Sequence, residues 1–165
     1  MSKRTQNRNE KKQYSPTGRR LWRYGPLVFW MVFIAFASTS GFSSINTSRI
    51  IRPLVLLVFP DLSDVRIAEI HFLIRKVAHF TEYAILAFLA RRAFITSSFT
   101  FFQRRWFQLG LLLVVIIALL DEFHQSFVRS RTPSLYDSAI DIAGGLTVLL
   151  IFKLYGKASS GSRGE

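Results

Sequence analysis

The sequence contains no cysteine, and this absence excludes disulfide bonds and metal sites built from thiolates. Acidic residues are scarce as well: 10 Asp and Glu stand against 22 Lys and Arg, which gives a formal net charge of +12. The HExxH pattern, the nucleophile elbow and a glycine-rich phosphate loop are also missing. No cofactor is therefore expected, although metal content is left open.

Apolar residues make up 50% of the chain, and the sequence contains 16 Phe. An ordinary soluble core does not combine this apolar content with so high a charge. A soluble nucleic-acid-binding protein would carry its basic residues along periodic helices or a sheet, whereas here they form clusters between apolar blocks. The composition favours the lipid bilayer as a partner and argues against nucleic acid.

Four apolar blocks approach the length that a helix needs to cross a membrane, ~20 residues for a hydrocarbon core of ~30 Å. They are Trp22 to Thr39, roughly Ile67 to Ala90, Trp106 to Val128, and Ser134 to Tyr155. The sequence thus predicts an all-α integral membrane bundle of four transmembrane helices. The apolar run Leu54 to Phe59 is too short to cross and is bracketed by Pro53 and Pro60, which predicts a short interfacial or re-entrant segment.

Polar ends flank the predicted membrane domain, residues 22–155. Residues 1–21 are basic and lack hydrophobic periodicity, so we expect a disordered cytoplasmic tail, and residues 156–165 predict a similar C-terminal tail. A second interpretation of the first block is a secretory signal, with Ala35 and Ala37 marking a cleavage site. The bulky Phe29, Trp30 and Phe33 favour a retained membrane anchor instead.

The positions of Lys and Arg predict the orientation, because basic residues in short loops are retained in the cytoplasm. Fifteen of the 22 lie on one side of a four-helix arrangement: in the chain up to Arg23, in the connection from Arg91 to Arg105, and in the end from Lys153. Eight of the 10 acidic residues fall on the other side. We therefore expect a multi-pass protein of the cell membrane with both termini in the cytoplasm.

Ionisable residues of three blocks fall at similar depth when a helical rise of ~1.5 Å per residue is counted from the cytoplasmic edge. They lie ~18 to 24 Å up their helices, in the outer half of the membrane. At helical spacing they form three stripes: Lys76, His79 and Tyr83; Asp121, His124, Gln125 and Val128; Ser134, Asp137, Ser138 and Asp141. Because a charge at the bilayer centre costs ~2.5 to 3.5 kcal/mol, the stripes should face one another or a wet cavity.

A few single residues carry expectations of their own. Gly144 and Gly145, one turn below Asp141, are expected to permit close helix contact. His79 is the strongest candidate for chemistry because imidazole titrates near neutrality, but a histidine bonded to a carboxylate is equally natural. His71 is interpreted as an interfacial residue, and the tryptophans, including Trp30, as membrane-interface or lipid-facing groups.

The segments RKVAHFTEYAILAFLARRAF, LLDEFHQSFVRSRTPSLYD and DIAGG resemble the VanZ-like family of bacterial membrane proteins. The family takes its name from a protein of glycopeptide-resistance clusters linked to lowered teicoplanin susceptibility. The resemblance runs from about Phe33 to Ile151 and implies four spans, without a firmly assigned activity. It implies a polar signature at Lys76, His79, Glu82, Tyr83, Asp121, Glu122, Gln125, Arg131, Asp137 and Asp141. Arg129 and Ser130 stand where the family often has Pro-Gly before its arginine.

Three interpretations of this polar cluster stay open. It is a structural network of ion pairs that fixes helix register. It binds a glycopeptide or the headgroup of a cell-wall precursor, since intramembrane ionisable groups mark function and an arginine such as Arg131 suits phosphate or carboxylate. Or it is a membrane-embedded enzyme, whose excess of carboxylates holds a divalent metal or shares a proton. A transporter is disfavoured because LGLLLVVIIALL, below Asp121, offers no polar path.

Overall fold

The computed structural model describes residues 16–39, 44–128 and 134–161. These residues form α-helices and no strand, which confirms the predicted all-α class. The helices are α1 (Pro16–Ala37), α2 (Ser44–Val58), α3 (Asp64–Ile95), α4 (Thr100–Arg104), α5 (Trp106–Gln125) and α6 (Leu135–Gly161). Each of the four predicted apolar blocks coincides with one long helix: α1, α3, α5 or α6.

The longest helix, α3, lies at the centre of the fold and packs against α6, α5, α1 and α2. Its fully buried face combines one large aromatic with small and aliphatic residues: Tyr83, Leu86, Ala87, Ala90 and Ala93. The neighbouring helices contribute Val114, Ala118 and Leu149 to the same core. Alanines along this face let the helix backbones approach closely, as helices in membranes commonly do.

The helices α3 and α6 run side by side in the same direction. Lys76 of α3 contacts Asp137 of α6, and further along both helices the rings of Phe88 and Phe152 lie 5.9 Å apart. Contacts whose residue numbers increase together on both helices define a parallel pair. A parallel pair requires a long connection between its members, and α5 lies within that connection.

The helix α5 runs in the opposite direction to α6. Gly110, near its start, faces Leu149, whereas Glu122, near its end, accepts a hydrogen bond from the backbone of Ser134 at 2.6 Å. The long helices therefore alternate in direction along the chain from α3 to α6. This alternation is the one that successive membrane crossings require.

The first helix is antiparallel to α3 and is joined to it at two levels. The indole Nε1 of Trp30 donates to the backbone carbonyl of Glu82 at 2.9 Å, and the hydroxyl of Tyr24 donates to Ser97 Oγ at 3.0 Å. Leu27 and Ile34 are the apolar residues of α1 that are buried. These contacts place α1 beside the polar half of α3 as well as its apolar half.

Two glycines of α6 allow its close contact with α3 and α5, as predicted from the sequence. A Cβ atom on Gly144 would collide with the backbone carbonyl oxygen of Phe80 on α3. A Cβ atom on Gly145 would lie 2.6 Å from Cγ1 of Val114 on α5. Only glycine therefore lets α6 fit between its two neighbours at this level.

Several helix boundaries differ from the predicted ones. The helix α2 continues through Pro53 and ends at Val58, just before Phe59, whose backbone is disfavoured for helix by Pro60. At 15 residues it is ~22 Å long, shorter than a hydrocarbon core of ~30 Å. The first helix begins at Pro16, inside the predicted disordered tail, because proline is well suited to a first helical position. The last helix extends to Gly161, and the short α4 was not predicted.

The described residues bury polar groups and expose large apolar ones. Among the exposed side chains are Phe29 and Val32 of α1 and Leu112, Leu119 and Phe123 of α5. The buried polar residues include Asp121, Glu122, Gln125, Asp137, Ser138 and Asp141. This distribution is the reverse of that in most soluble proteins and is typical of helices surrounded by lipid.

Two segments are long and apolar enough to cross a membrane, Trp106–Gln125 and Leu135–Gly156. The helices α1 and α3 are long enough, but their stretches are too polar or too highly charged to count as candidate spans. The first turns of α1 contain Arg19, Arg20 and Arg23, and charged residues recur along the first half of α3. The findings thus support a membrane protein with two candidate spans, while the four-span bundle stays a prediction.

Candidate functional site

Polar side chains converge where α3, α5 and α6 meet, at the end of the bundle that contains the start of α3. The three predicted stripes supply them: α3 and α6 contribute facing ion-pairing residues, and α5 contributes a carboxylate with its amide partner. The helical spacing predicted that these stripes face one another or a wet cavity, and those of α3 and α6 face one another.

The outermost contact of the cluster is an ion pair between Lys76 on α3 and Asp137 on α6. Both side chains are mostly buried, with exposed fractions of 19% and 12%. The ammonium group also lies 4.9 Å from the ring centre of Phe72 and 5.6 Å from that of Tyr136. Two aromatic faces and one carboxylate therefore surround this cation, an arrangement suited to holding the two helices together.

One turn further along both helices, His79 faces Asp141. Their Nδ1 and Oδ1 atoms are 3.2 Å apart, and the Asp141 side chain is completely buried. The second carboxylate oxygen, Oδ2, is buried and has no hydrogen-bond partner among the described residues. A buried carboxylate with one oxygen left over can accept a further donor or a cation.

The contribution of α5 is a pair of adjacent carboxylates with different partners. Asp121 Oδ2 accepts a hydrogen bond of 2.9 Å from Nε2 of Gln125, one turn further along the same helix. Glu122 Oε2 accepts the backbone N–H of Ser134, at the start of α6. A carboxylate beside the N-terminus of a helix is favoured by the helix dipole. Glu122 therefore ties α5 to α6, while Asp121 faces α3.

The remaining signature residues divide into three cases. Tyr83 is fully buried one turn after His79, and its hydroxyl has no hydrogen-bond partner among the described residues. Glu82 lies on the neighbouring face of α3, where its carbonyl accepts the Trp30 indole N–H. Arg131 lies outside the described residues, as does Arg129. The predicted role of Arg131 in binding an anion is thus not tested by the structure.

A cavity of about 450 Å³ opens beside the polar cluster. Its charged and most of its polar lining comes from α3 and α5, and α1, α2 and α3 share its apolar lining. The polar lining includes Arg75, His79, Glu82, Asp121 and Gln125. The apolar lining includes Trp30, Phe33, Ile34, Ile51, Ile74 and Ile85. The cluster is therefore partly closed. Lys76 and Asp137 pair with each other and do not line the cavity, whereas His79 and Asp121 do.

Sequence reasoning missed the part of the site that α1 and α2 supply. Trp30, interpreted as a membrane-interface or lipid-facing group, is half-buried, donates to Glu82 and lines the cavity. His71, interpreted as interfacial, lies 3.0 Å from Thr47 Oγ1 of α2 and so joins α2 to α3. The polar Nε1 of a tryptophan in an otherwise apolar helix was the available signal, since such a group finds a partner when it is buried.

Three residues of the cluster are arranged as metal ligands could be. One ligand atom from each of His79, Asp121 and Asp141 lies within 4.8 Å of the other two. His124, a member of the predicted α5 stripe, is exposed and does not belong to this group. Imidazole nitrogen and carboxylate oxygen together are a common ligand set for divalent transition metals.

Comparison with known proteins adds one positive finding. The model of the VanZ/LLP1 family matches residues 23–156, which include every residue of the cluster and of the cavity wall. No curated protein and no solved structure matches the chain.

Proposed function

Because the chain belongs to the VanZ/LLP1 family, we propose that it is a four-span membrane protein of the bacterial envelope whose cavity binds the headgroup of a lipid-linked cell-wall precursor. The sequence had suggested either a glycopeptide or such a headgroup as the ligand. A whole glycopeptide is larger than a cavity of about 450 Å³, whereas a headgroup attached to a lipid tail need only place its polar part inside.

The observation that carries the proposal is that charged and apolar side chains line the same cavity. His79, Glu82 and Asp121 offer acceptors for the hydroxyl, amide and ammonium donors of a sugar or peptide. Arg75, half-buried at the same cavity, is suited to a phosphate or carboxylate. The lining of isoleucines and aromatic rings suits an isoprenoid or acyl chain. An amphiphile can contact both kinds of side chain at once.

The proposed orientation puts the cavity toward the outer leaflet, where such a precursor is used. Basic residues gather at the other end of the bundle: Arg23 donates to Ser98 Oγ at 3.0 Å, and Arg92 donates to the carbonyl of Trp22 at 3.2 Å. His79 lies 13 residues before Arg92, or ~20 Å along α3. Both termini are then cytoplasmic by the positive-inside rule.

A cavity-filling substitution tests this proposal. Ala37→Trp places a large side chain at the apolar wall without changing a polar residue. Ala35→Trp is the matched control, since Ala35 is exposed on the same helix and is not part of the lining. The readout is the shift in melting temperature of the purified, detergent-solubilised full chain on adding a polyprenyl-diphosphate-linked sugar-peptide.

We expect the shift in the wild type and in Ala35→Trp, and its loss in Ala37→Trp. The polyprenyl phosphate without its sugar-peptide and a zwitterionic phospholipid serve as control ligands, and both should give a smaller shift. Equal shifts in both tryptophan variants would refute binding in this cavity. Equal shifts with all three ligands would refute recognition of the headgroup.

A second candidate function is catalysis on the bound headgroup, and one contact favours it. His79 reaches the cavity while its Nδ1 faces the buried Asp141, so a carboxylate orients a histidine at a ligand-binding surface. This is an arrangement that general acid–base catalysis uses. Loss of headgroup turnover in His79→Gln, with precursor binding retained, is the result that would separate catalysis from binding alone.

A further inference from the structure

Three helices bring His79, Asp121 and Asp141 together. One ligand atom from each lies within 4.8 Å of the other two. Around a tetrahedral ion with bonds of ~2.1 Å, neighbouring ligand atoms lie ~3.4 Å apart. The limit of 4.8 Å is longer than this separation, so one ion bound by all three residues would require the side chains to move closer together. The residues come from α3, α5 and α6, so their convergence is a product of the tertiary fold.

The Asp141 carboxylate provides a separate observation that indicates a ligand. It is completely buried, it has one oxygen facing His79, and its other oxygen has no hydrogen-bond partner among the described residues. A buried carboxylate in this state is costly unless a donor or cation meets it. The second oxygen, Oδ2, is therefore available to a donor or a cation.

The charge balance of the described residues also leaves room for a cation. Lys76 pairs with Asp137, and no described Lys or Arg forms an ion pair with Asp121 or Asp141. Two carboxylates close together in a low-dielectric site repel each other. One divalent cation would neutralise both at once.

The surroundings meet two further requirements of a metal site. Gln125 Nε2 donates to Oδ2 of Asp121, which fixes the orientation of this carboxylate and leaves Oδ1 for another partner. His79 and Asp121 also line the cavity, so an ion bound by them would be reached from the cavity and would keep an open coordination position.

From these contacts we propose that His79, Asp121 and Asp141 bind one divalent transition-metal cation of the Zn²⁺ class. One imidazole with two carboxylates suits Zn²⁺ or Mn²⁺, and the lack of thiolate and thioether ligands disfavours Cu⁺. Three protein ligands with an open fourth position can present a metal to a phosphate or hydroxyl of the headgroup. The inference deepens the proposed function and rests on it for what the metal would contact.

The test uses the full chain, purified with a histidine-free tag and titrated with metal alone. Zn²⁺, Mn²⁺, Mg²⁺ and Ca²⁺ are added separately to chelator-treated protein, and bound metal is counted by elemental analysis after desalting. We expect one Zn²⁺ or Mn²⁺ per chain and little retention of Mg²⁺ or Ca²⁺. A wild-type protein that retains neither transition metal would overturn the inference.

Variants locate the ion. Gln125→Leu removes the hydrogen bond to the proposed ligand Asp121, and loss of such a bond typically weakens metal binding ~10- to 100-fold. Asp121→Asn removes a ligand charge and should weaken metal binding further. His124→Gln, on the exposed face of α5, is the matched control and should bind as the wild type does. Unchanged affinity in both Asp121→Asn and His79→Gln would place the ion elsewhere and refute the site.

A spectroscopic measurement keeps the inference testable if a variant does not fold. Co²⁺ bound by the wild type should show the intense visible absorption of a four-coordinate ion with nitrogen and oxygen ligands, and the spectrum of hydrated Co²⁺ would contradict the site. Precursor binding is measured separately, in chelator-treated protein. A wild-type protein that binds the precursor but no metal refutes this inference alone. A wild-type protein that binds the metal but no precursor refutes the proposed function alone.

Discussion

The imidazole Nδ1 of His79 lies 3.2 Å from Oδ1 of Asp141, one turn beyond the ion pair of Lys76 and Asp137 on the same two helices. The two pairs have different surroundings. Aromatic rings cover Lys76, whereas His79 reaches the cavity. We infer that the first pair holds α3 against α6 and that the second acts on whatever enters the cavity.

Breaking the first pair should therefore destabilise the bundle. Lys76→Met leaves Asp137 buried without its partner, and losses of ~3 to 5 kcal/mol are typical for such changes. The double variant Lys76→Met/Asp137→Leu should recover most of this loss because no charge is then left unpaired. Unfolding of the detergent-solubilised protein, followed by helical circular dichroism, measures both.

The exposed pair Arg52–Asp64, with exposed fractions of 58% and 80%, is the matched control for that experiment. Arg52→Met should change the unfolding free energy by no more than ~1 kcal/mol. If Lys76→Met were as mild as Arg52→Met, the inner pair would have no structural role.

His79→Gln should separate stability from function. Glutamine keeps a polar group opposite Asp141, so we expect a stability loss of no more than ~3 kcal/mol, the range of a hydrogen bond to a charged group. Binding of the metal and of the precursor should fall much more steeply. His71→Gln is the control: it removes the contact with Thr47 but leaves the cluster intact. Equal fractional loss of folded protein and of binding in His79→Gln would indicate a purely structural histidine.

The glycine contacts of α6 predict a large effect from one added methyl group. Gly144→Ala would push against the backbone of Phe80, and overpacking of this kind costs ~1 to 3 kcal/mol. Gly156→Ala meets open space in the same helix and should be neutral or stabilising by up to ~1 kcal/mol. Melting temperatures of the two variants, measured side by side, check the contact. Identical values would mean that α6 lies further from α3.

The proposed orientation can be tested because the chain has no cysteine of its own. A thiol introduced at the exposed Asp61, between α2 and α3, should react with a membrane-impermeant reagent in intact cells. A thiol at the exposed Thr100, between α3 and α5, should react only after the membrane is opened. Reaction at Thr100→Cys alone in intact cells would reverse the predicted orientation.

Much of the fold followed from the sequence because α3, α5 and α6 carry strong local signals. Helical spacing placed Lys76 and His79 on one stripe, and the structure sets this stripe against Asp137 and Asp141. These signals are local and periodic, so they survive without knowledge of tertiary contacts. Helix ends were less predictable, since neighbours stabilise turns that composition alone does not favour.

The cavity was not predictable in the same way. It exists because α1 and α2 pack against α3 without filling the space beside His79, and this depends on the shapes of side chains such as Trp30 and Ile51. No periodic pattern records a gap between helices. The convergence of His79, Asp121 and Asp141 was predicted only in outline, because spacing places a residue on a face but does not give its distance from residues of another helix.

The parallel pairing of α3 and α6 also has a consequence for biogenesis. Lys76 and Asp137 are 61 residues apart in the sequence, with α5 between them. In the proposed four-span arrangement, the ammonium of Lys76 and the imidazole of His79 have no carboxylate partner from α6 when α3 leaves the ribosome, and leaving them in lipid would be costly. The translocation machinery or water must then solvate Lys76 and His79 until α6 has been synthesised. If α3 is a span, as proposed, synthesis of α6 is the step that completes its ion pairs, and we expect a chain halted after α5 to be a substrate for membrane quality control.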